Sequence, residues 1–214
     1  MPSTRVDLVT PVGLARATVE GPPGAGALVL GHGAGGGIEA PDLLAARAAG
    51  LATGLQVVRV EQPWRLQGRR LAEAPVRLDA AWLAVLSTLD RAGPLVVGGR
   101  SSGARVACRT ATAVGATAVL ALAFPLQPPG RPDRSRLPEL LLPTAPRLVV
   151  QGERDAFGRP EAARGLEVHV VRGADHGFGV RRKDARTREQ VADEVQEVVG
   201  RWLSAVLASP QTLT

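Results

Sequence analysis

The sequence is poor in the residues on which disulfides, metal sites and membrane spans depend. Its 214 residues include one cysteine, three histidines and no tyrosine. Cys108 has no second cysteine for an intrachain disulfide, and so few histidines leave no cluster for a structural zinc ion. The longest apolar run, Ala118 to Phe124, is far shorter than the roughly 20 residues of a membrane-spanning helix, and no basic-then-apolar leader opens the chain. We therefore expect a soluble, cytoplasmic protein with no metal and no membrane partner.

Lysine is nearly absent as well, since Lys183 is the only one, and arginine carries most of the net charge of +6. A basic protein can bind nucleic acid, but the binding surface is then usually a clustered stripe that includes aromatic residues. The arginines of this chain are scattered along its length instead. We expect no nucleic-acid partner.

Short apolar runs alternate with segments of helical period along the chain. The runs are typical of strands buried on both faces of a parallel sheet. They are Ala27 to Leu30, Gln56 to Val60, Leu95 to Val97, Ala116 to Phe124, Arg147 to Val150 and Leu166 to Val171. Three apolar stripes with a 3.6-residue period predict helices. They extend from Leu78 to Leu89, from Ala104 to Ala111 and from Val191 to Val206, the last preceded by a capping box of Thr187 and Gln190.

Two alternating segments, Arg5 to Thr10 and Leu14 to Glu20, predict an antiparallel hairpin at the sheet edge. The alternation of strands and helices beyond them predicts right-handed crossovers and a doubly wound, mostly parallel α/β sheet. A length of 214 residues suits one domain, which we expect to span residues 1–214. Because ligands bind outside the carboxyl ends of such strands, functional residues are expected directly after each apolar run.

A candidate nucleophile follows the Leu95 strand. Gly99, Ser101 and Gly103 form a G-x-S-x-G pattern between a predicted strand and a predicted helix, which is the context of a nucleophile elbow. The elbow requires both glycines, because side chains two residues either side of the serine would collide with the neighbouring strand and helix. Ser102 lacks glycines at the matching positions, so Ser101 is the predicted nucleophile.

A serine nucleophile needs a base, and the base needs an acid that orients it. Asp155 and His176 lie on the loops after the last two predicted strands, in the order Ser, acid, His that this architecture uses. Glu153 and Asp175 compete as the acid; we prefer Asp155 because it comes later in its loop and can turn back toward the histidine. His169 competes as the base, but it falls inside a strand and is expected to pack against a helix.

The first central strand runs into a glycine-rich turn at residues 31–37. Such a turn exposes backbone N–H groups, as an oxyanion hole requires. We expect one donor from Gly33 or Ala34 and the second from Ser102, with His32 bracing the loop. The same residues fit the G-x-G-x-x-G pattern of dinucleotide-binding loops, but the next strand ends without the expected acidic residue, and Glu61 lies slightly beyond that place.

Four of the six aromatic residues and several arginines follow strand ends. Trp64, Phe124, Phe157 and Phe178 are candidates for an acyl-binding pocket, the alternative being that loops bury them. Arg100 is a candidate for binding an anionic group, together with a positive rim that consists of Arg65, Arg154, Arg172, Arg181 and Arg182. The alternative for these arginines is a solvated surface.

The whole set of motifs resembles the α/β-hydrolase superfamily over nearly the full chain. Within it, the sequence is most similar to the dienelactone-hydrolase-like branch, and to the family that includes a testis-expressed protein and a subunit of the nonspecific-lethal acetyltransferase complex. The matching segments are Gly31 to Gly37, Gly98 to Arg105, Phe124 to Gly130 and Gln151 to Gly158. The sequence departs from that family at Ser102, where methionine is usual, and at Val60 to Trp64, where an aromatic-rich segment is expected.

These observations predict a serine hydrolase that cleaves a small or extended ester or thioester through an acyl-enzyme. The segment between Phe124 and Arg147 is short and proline-rich, so no large cap is expected. No cofactor is expected, because the triad and backbone amides supply the chemistry. The expected partner is a small-molecule acyl substrate, and the expected state is a monomer or homodimer. The alternative is a catalytically silent interaction module with the same fold.

Overall fold

The computed structural model describes residues 3–24, 26–69, 71–89 and 92–208. Eight strands form one sheet in the order β1-β2-β4-β3-β5-β6-β7-β8. β2 pairs antiparallel with both β1 and β4, and the remaining pairs are parallel. The strands are β1 Thr4–Thr10, β2 Gly13–Glu20, β3 Ala27–Gly31, β4 Gln56–Glu61, β5 Leu95–Arg100, β6 Ala118–Leu122, β7 Arg147–Gly152 and β8 Leu166–Val171.

Six helices in the described ranges cover the two faces of the sheet. They are α1 Pro41–Ala52, α2 Pro63–Leu66, α3 Pro75–Ser87, α4 Ser102–Thr110, α5 Leu137–Leu141 and α6 Arg188–Ala208. α1 and α6 pack on one face, where Leu43, Val195 and Trp202 belong to one apolar core. α3, α4 and α5 pack on the other face, where Trp82, Cys108 and Leu140 belong to a second core. The sheet is therefore doubly wound, as predicted.

The structure contains the predicted hairpin, central strands and three helices. Some of these elements begin or end at other residues than predicted. β5 continues to Arg100 because Gly98 and Gly99 pair with strands on both sides. β6 ends at Leu122, earlier than predicted, because Ala123 adopts a φ of +47° and turns the chain out of the sheet. The predicted capping box of α6 forms: the Thr187 N–H donates to Gln190 Oε1 (2.9 Å), and the Gln190 N–H donates to Thr187 Oγ1 (3.2 Å).

The sequence patterns did not predict α1, which begins with Pro41 and Asp42 and contains mostly alanine and leucine. α1 is built so close to the sheet that a Cβ on Gly50 would lie 2.7 Å from the Leu28 side chain. The segment between β6 and β7 contains the short helix α5 and no larger cap among the residues described there. Within the described ranges, no helix is long and apolar enough to cross a membrane.

Candidate active site

Ser101 occupies a sharp turn between β5 and α4. Its φ of +53° and ψ of −112° are rare for a residue with a side chain. Its N–H donates to Leu122 O of β6 (2.9 Å), which fixes the turn against the neighbouring strand. A Cβ on Gly99 or on Gly103 would lie 2.4 Å from Gly31 O of β3. The predicted steric reason for the two glycines is therefore present in the structure, and it tightly constrains the backbone around Ser101.

The loops after β7 and β8 bring Asp155 and His176 to Ser101. His176 Nε2 lies 3.0 Å from Ser101 Oγ, and His176 Nδ1 lies 2.8 Å from Asp155 Oδ2. Because a carboxylate only accepts, Nδ1 carries the imidazole proton and Nε2 is free to accept the serine proton. The side chain of Asp155 is fully buried, whereas that of His176 is 24% exposed. This arrangement can activate the Ser101 hydroxyl as a nucleophile toward a substrate that approaches from solvent.

Gln151, at the end of β7, donates to the same oxygen of the Asp155 carboxylate that the histidine contacts. Its Nε2 lies 2.7 Å from Asp155 Oδ2, 3.1 Å from Phe124 O and 2.9 Å from Gly158 O, and the residue is fully buried. The other carboxylate oxygen, Oδ1, accepts the N–H of Phe157 (2.8 Å). Sequence reasoning gave Gln151 no role, although a polar side chain at the end of a buried strand, four residues before the acid, was a usable signal.

The two competing acids bind backbone N–H groups of the histidine loop. Glu153 Oε2 accepts the N–H of Gly173 (2.8 Å), and Asp175 Oδ1 accepts the N–H groups of Gly177 and Gly179 (2.8 Å each). The loops also touch directly, because a Cβ on Gly152 would lie 2.4 Å from Asp175 O. Both carboxylates thus shape the loop that carries His176.

The competing histidine, His169, lies on β8 and faces helix α6. Its Nε2 is 2.7 Å from Glu194 Oε1, and Glu194 also pairs with Arg186. The single thiol, Cys108, is buried in the core beside α3, and burial raises its pKa to about 12. Within the described residues, no group of three His, Cys, Asp or Glu side chains is arranged to hold a metal ion.

Hydrogen bonds at both ends hold the glycine-rich loop after β3. His32 Nε2 accepts the N–H of Gln62 (3.1 Å), so its Nδ1 carries the proton and donates to Gly33 O (2.8 Å). Burial lowers the pKa of His32, which favours this neutral form. At the far end, Arg59 Nη1 donates to Ile38 O (2.9 Å). A Cβ on Gly33 would lie 3.3 Å from Ser101 Cβ, so the loop passes directly beside the candidate nucleophile.

The five candidate substrate-binding residues are placed differently from one another. Trp64, Phe124 and Phe178 are at most 5% exposed and belong to the two cores, in line with the alternative that loops bury them. Phe157 is half-buried, and its ring centroid is 4.3 Å from that of His176. Arg100 is 8% exposed and pairs with Asp42 at 3.0 Å, so it faces the interior.

The remaining arginines of the predicted rim differ in their exposure to solvent. Four of them are exposed: Arg65, Arg172, Arg181 and Arg182. Arg154 is half-buried, and its Nη2 donates to Gly173 O (2.6 Å) in the histidine loop. The rim thus combines solvated charges with one that braces a loop.

The chain matches the family described as "Alpha/beta hydrolase domain" over residues 24–204. No curated protein matches it. Among solved structures it resembles an α/β serine hydrolase without a lid from Xanthomonas campestris, with 20% identity and a TM-score of 0.71, covering 98% of each chain. It also resembles Est1E from Butyrivibrio proteoclasticus, with 15% identity and a TM-score of 0.69, covering 96% of this chain and 99% of that one.

A further similar structure is an esterase from Pyrobaculum calidifontis, with 18% identity and a TM-score of 0.66, covering 97% of this chain and 85% of that one. At identities this low, the structural similarity establishes a shared fold and no more. The family match, which covers most of the chain, establishes more. Together they confirm the predicted α/β-hydrolase fold, and this chain belongs to the alpha/beta hydrolase domain family.

Proposed function

We propose that this protein is a serine hydrolase that cleaves a carboxylic ester or thioester through an acyl-enzyme. The observation that carries the proposal is the hydrogen-bonded series from Ser101 Oγ to His176 Nε2 (3.0 Å) and from His176 Nδ1 to Asp155 Oδ2 (2.8 Å). The hydrolase family and the esterase neighbours support the same reaction class.

Acylation begins when Ser101 Oγ attacks the carbonyl carbon of the substrate and His176 Nε2 takes the hydroxyl proton. Asp155 keeps the imidazole in the required tautomer and stabilises the imidazolium. The tetrahedral intermediate collapses as His176 protonates the leaving alcohol or thiol. A water molecule, deprotonated by the same nitrogen, then attacks the acyl-enzyme, and the carboxylic acid is released with Ser101 restored.

The oxyanion donors in this mechanism are the N–H of Ser102 and the N–H of Gly33 or Ala34. Ser102 is the first residue of α4, where N–H groups have no partner within the helix. Gly33 lies against Ser101 Cβ. Both residues lie beside the nucleophile, close to where the carbonyl oxygen of a bound substrate would gain negative charge.

The acyl group is small or extended and lies on an open surface beside Phe157. The exposure of His176 and the ring contact of Phe157 support this orientation. Ferulic acid is bound in one structure of Est1E, to which the chain is 14% identical. Esters of hydroxycinnamic acids therefore join esters and thioesters of short acyl groups as substrates to test.

Several finer expectations belong to this proposal. The chain falls in the dienelactone-hydrolase-like branch, near the family of the testis-expressed protein and the nonspecific-lethal complex subunit, on the motifs quoted above. It acts in the cytoplasm as one domain, as a monomer or homodimer, on a small-molecule substrate. It uses no metal or cofactor and binds no nucleic acid.

The proposal is tested by steady-state and rapid-mixing kinetics on 4-nitrophenyl esters and acyl thioesters. We expect a burst of one leaving group per active site in wild type. Ser101→Ala should lower kcat by at least about 10³-fold, since removing a triad nucleophile costs that or more. Activity should fall on acidification, because a general base acts only in its unprotonated form. Ser102→Ala is the matched control, because it keeps the backbone donor and should retain most activity.

Folded wild-type protein that hydrolyses none of these substrates would contradict the proposal. Association with a partner in such a protein would instead favour the silent interaction module. An active protein with a flat profile below neutral pH would contradict the role of His176.

A further inference from the structure

A buried arginine lies directly before the nucleophile. Arg100 is the last residue of β5, and only 8% of its surface is exposed. An arginine at this depth is costly unless its charge is paired and its N–H groups are satisfied. The groups that surround the Arg100 guanidinium therefore indicate the role of this side chain.

The first contact is with helix α1 on the α6 side of the sheet. Arg100 Nε lies 3.0 Å from Asp42 Oδ2, and both side chains are almost completely buried. Burial raises the pKa of Asp42, and the nearby Arg100 charge opposes that rise. Asp42 also lies in the first turn of α1, where the helix dipole favours a negative charge. Asp42 is therefore the buried counter-charge beside the guanidinium.

The second contact is with the loop that carries His176. Arg100 Nη2 donates to His176 O (3.1 Å), a backbone atom 76 residues away in sequence. The same nitrogen lies 3.5 Å from the place that a Cβ would occupy on Gly177. The guanidinium thus binds the backbone of the histidine itself and lies beside its neighbour.

The third contact is with the glycine-rich loop after β3. Arg100 Nη1 lies 3.4 Å from the Cβ position of Gly36 and 3.6 Å from that of Gly33. A methyl group added at either glycine would meet the guanidinium at an ordinary van der Waals distance, so the guanidinium lies directly beside the loop. One planar group thus lies beside three segments, and the fork of arginine can reach all three, whereas the single ammonium of lysine cannot.

We propose that Arg100 is a positioning residue that sets His176 and the oxyanion loop relative to Ser101, with Asp42 fixing its guanidinium. This inference rests on the proposed hydrolase function. It also replaces the expectation that Arg100 binds an anionic substrate group, because its charge is paired inside the protein. Misplacement of a catalytic group by about 1 Å can cost about 10²-fold in rate, so the effect of losing Arg100 should be measurable.

The test compares Arg100→Met, Arg100→Lys, Asp42→Asn and the double variant Arg100→Met/Asp42→Asn. Stability is measured by urea unfolding, and kcat and KM are measured per titrated active site. Arg100→Met should lose about 10²-fold in kcat with little change in KM, and it should be destabilised by the unpaired buried carboxylate. Arg100→Lys should recover part of the lost kcat.

The double variant separates positioning from simple stabilisation. It removes both buried charges, so its stability should return toward that of wild type. Its kcat should stay as low as that of Arg100→Met, because the contacts to His176 O and the loop are still missing. Recovery of kcat together with stability would overturn the inference and leave only a structural ion pair.

A spectroscopic readout keeps this test independent of turnover. The proton on His176 Nδ1, in its bond to Asp155, gives a downfield NMR signal that reports the placement of the imidazole. We expect the signal in wild type and its loss or displacement in both variants that lack Arg100. An unchanged signal in Arg100→Met would overturn the inference. An inert wild type that shows the signal would contradict only the hydrolase function.

Discussion

Two glycine-rich segments lie beside Ser101, and their glycines serve different purposes. In the elbow, a Cβ on Gly99 or Gly103 would lie 2.4 Å from Gly31 O, far closer than real side chains approach a backbone oxygen. In the loop after β3, a Cβ on Gly35 or Gly37 would meet no atom within 4 Å. The elbow has no space for side chains, whereas much of the loop faces open space.

The two segments are also held in place by different kinds of interaction. Packing against β3 holds the elbow, and that restraint does not depend on pH. The loop is held by polar groups, with His32 bound to Gln62 at one end, Arg59 bound to Ile38 at the other and Arg100 beneath. The loop should therefore respond to changes in charge that leave the elbow unaffected.

The largest effect is expected from Gly103→Ala. The new Cβ would lie 2.4 Å from Gly31 O and 2.8 Å from His32 O, so α4 must move away from β3. Both contacts are with backbone atoms that no rotamer change can relieve. We expect a loss above about 4 kcal/mol in the free energy of unfolding, or no folded protein. Urea unfolding and near-UV circular dichroism measure this. A stable, active Gly103→Ala protein would contradict the steric account of the elbow.

An intermediate effect is expected from acidification acting on His32. Burial lowers the pKa of His32, so the folded state keeps it neutral while the unfolded chain takes up a proton below about pH 6.5. The unfolded state then binds more protons, and stability falls as the pH decreases below that value. The limiting slope is about 1.4 kcal/mol per pH unit for one proton.

The matched control is His32→Gln, whose amide oxygen can still accept from the Gln62 N–H but does not titrate near neutral pH. Urea unfolding of both proteins between pH 7.5 and pH 5 should show a smaller loss of stability in the variant. Equal slopes in the two proteins would exclude His32 as the pH-sensitive anchor of the loop.

The smallest effect is expected from Gly35→Ala. The position is open and its φ lies outside the left-handed region, so alanine fits without strain. Gly-to-Ala changes at compatible sites raise stability by about 0.4 to 1 kcal/mol, because the unfolded chain loses freedom. We expect a shift of that size or none, with kcat close to that of wild type. A loss as large as that of Gly103→Ala would remove the distinction between the two segments.

Local patterns in the sequence predicted most of the fold. Buried strands were recognisable as continuous apolar runs, and α3, α4 and α6 as apolar stripes, because both patterns record which face meets the core. α1 was missed because its stripe consists largely of alanine and glycine, with a buried aspartate at its start. The partner that makes Asp42 acceptable there, Arg100, is distant in sequence, and no local pattern contains it.

The candidate site likewise combines residues that local sequence patterns identify with residues that they do not. The elbow, the acid and the histidine follow from motif and chain order, and the structure brings Ser101, His176 and Asp155 within hydrogen-bonding distance. Gln151 binds Asp155 only four residues away, so a local signal for it existed, whereas Arg100 acts through a contact with a residue 76 positions away. Whether an aromatic residue after a strand lines a pocket or fills the core also depends on such contacts, which is why Trp64 and Phe124 could not be assigned beforehand.

The most direct test of the central claim is labelling with a fluorophosphonate probe, followed by peptide mass analysis to find the modified residue. We expect one adduct, on Ser101, that forms in wild type and is absent from Ser101→Ala. No adduct on protein shown to be folded, or an adduct that persists in Ser101→Ala, would contradict the claim that His176 and Asp155 activate Ser101 as a nucleophile.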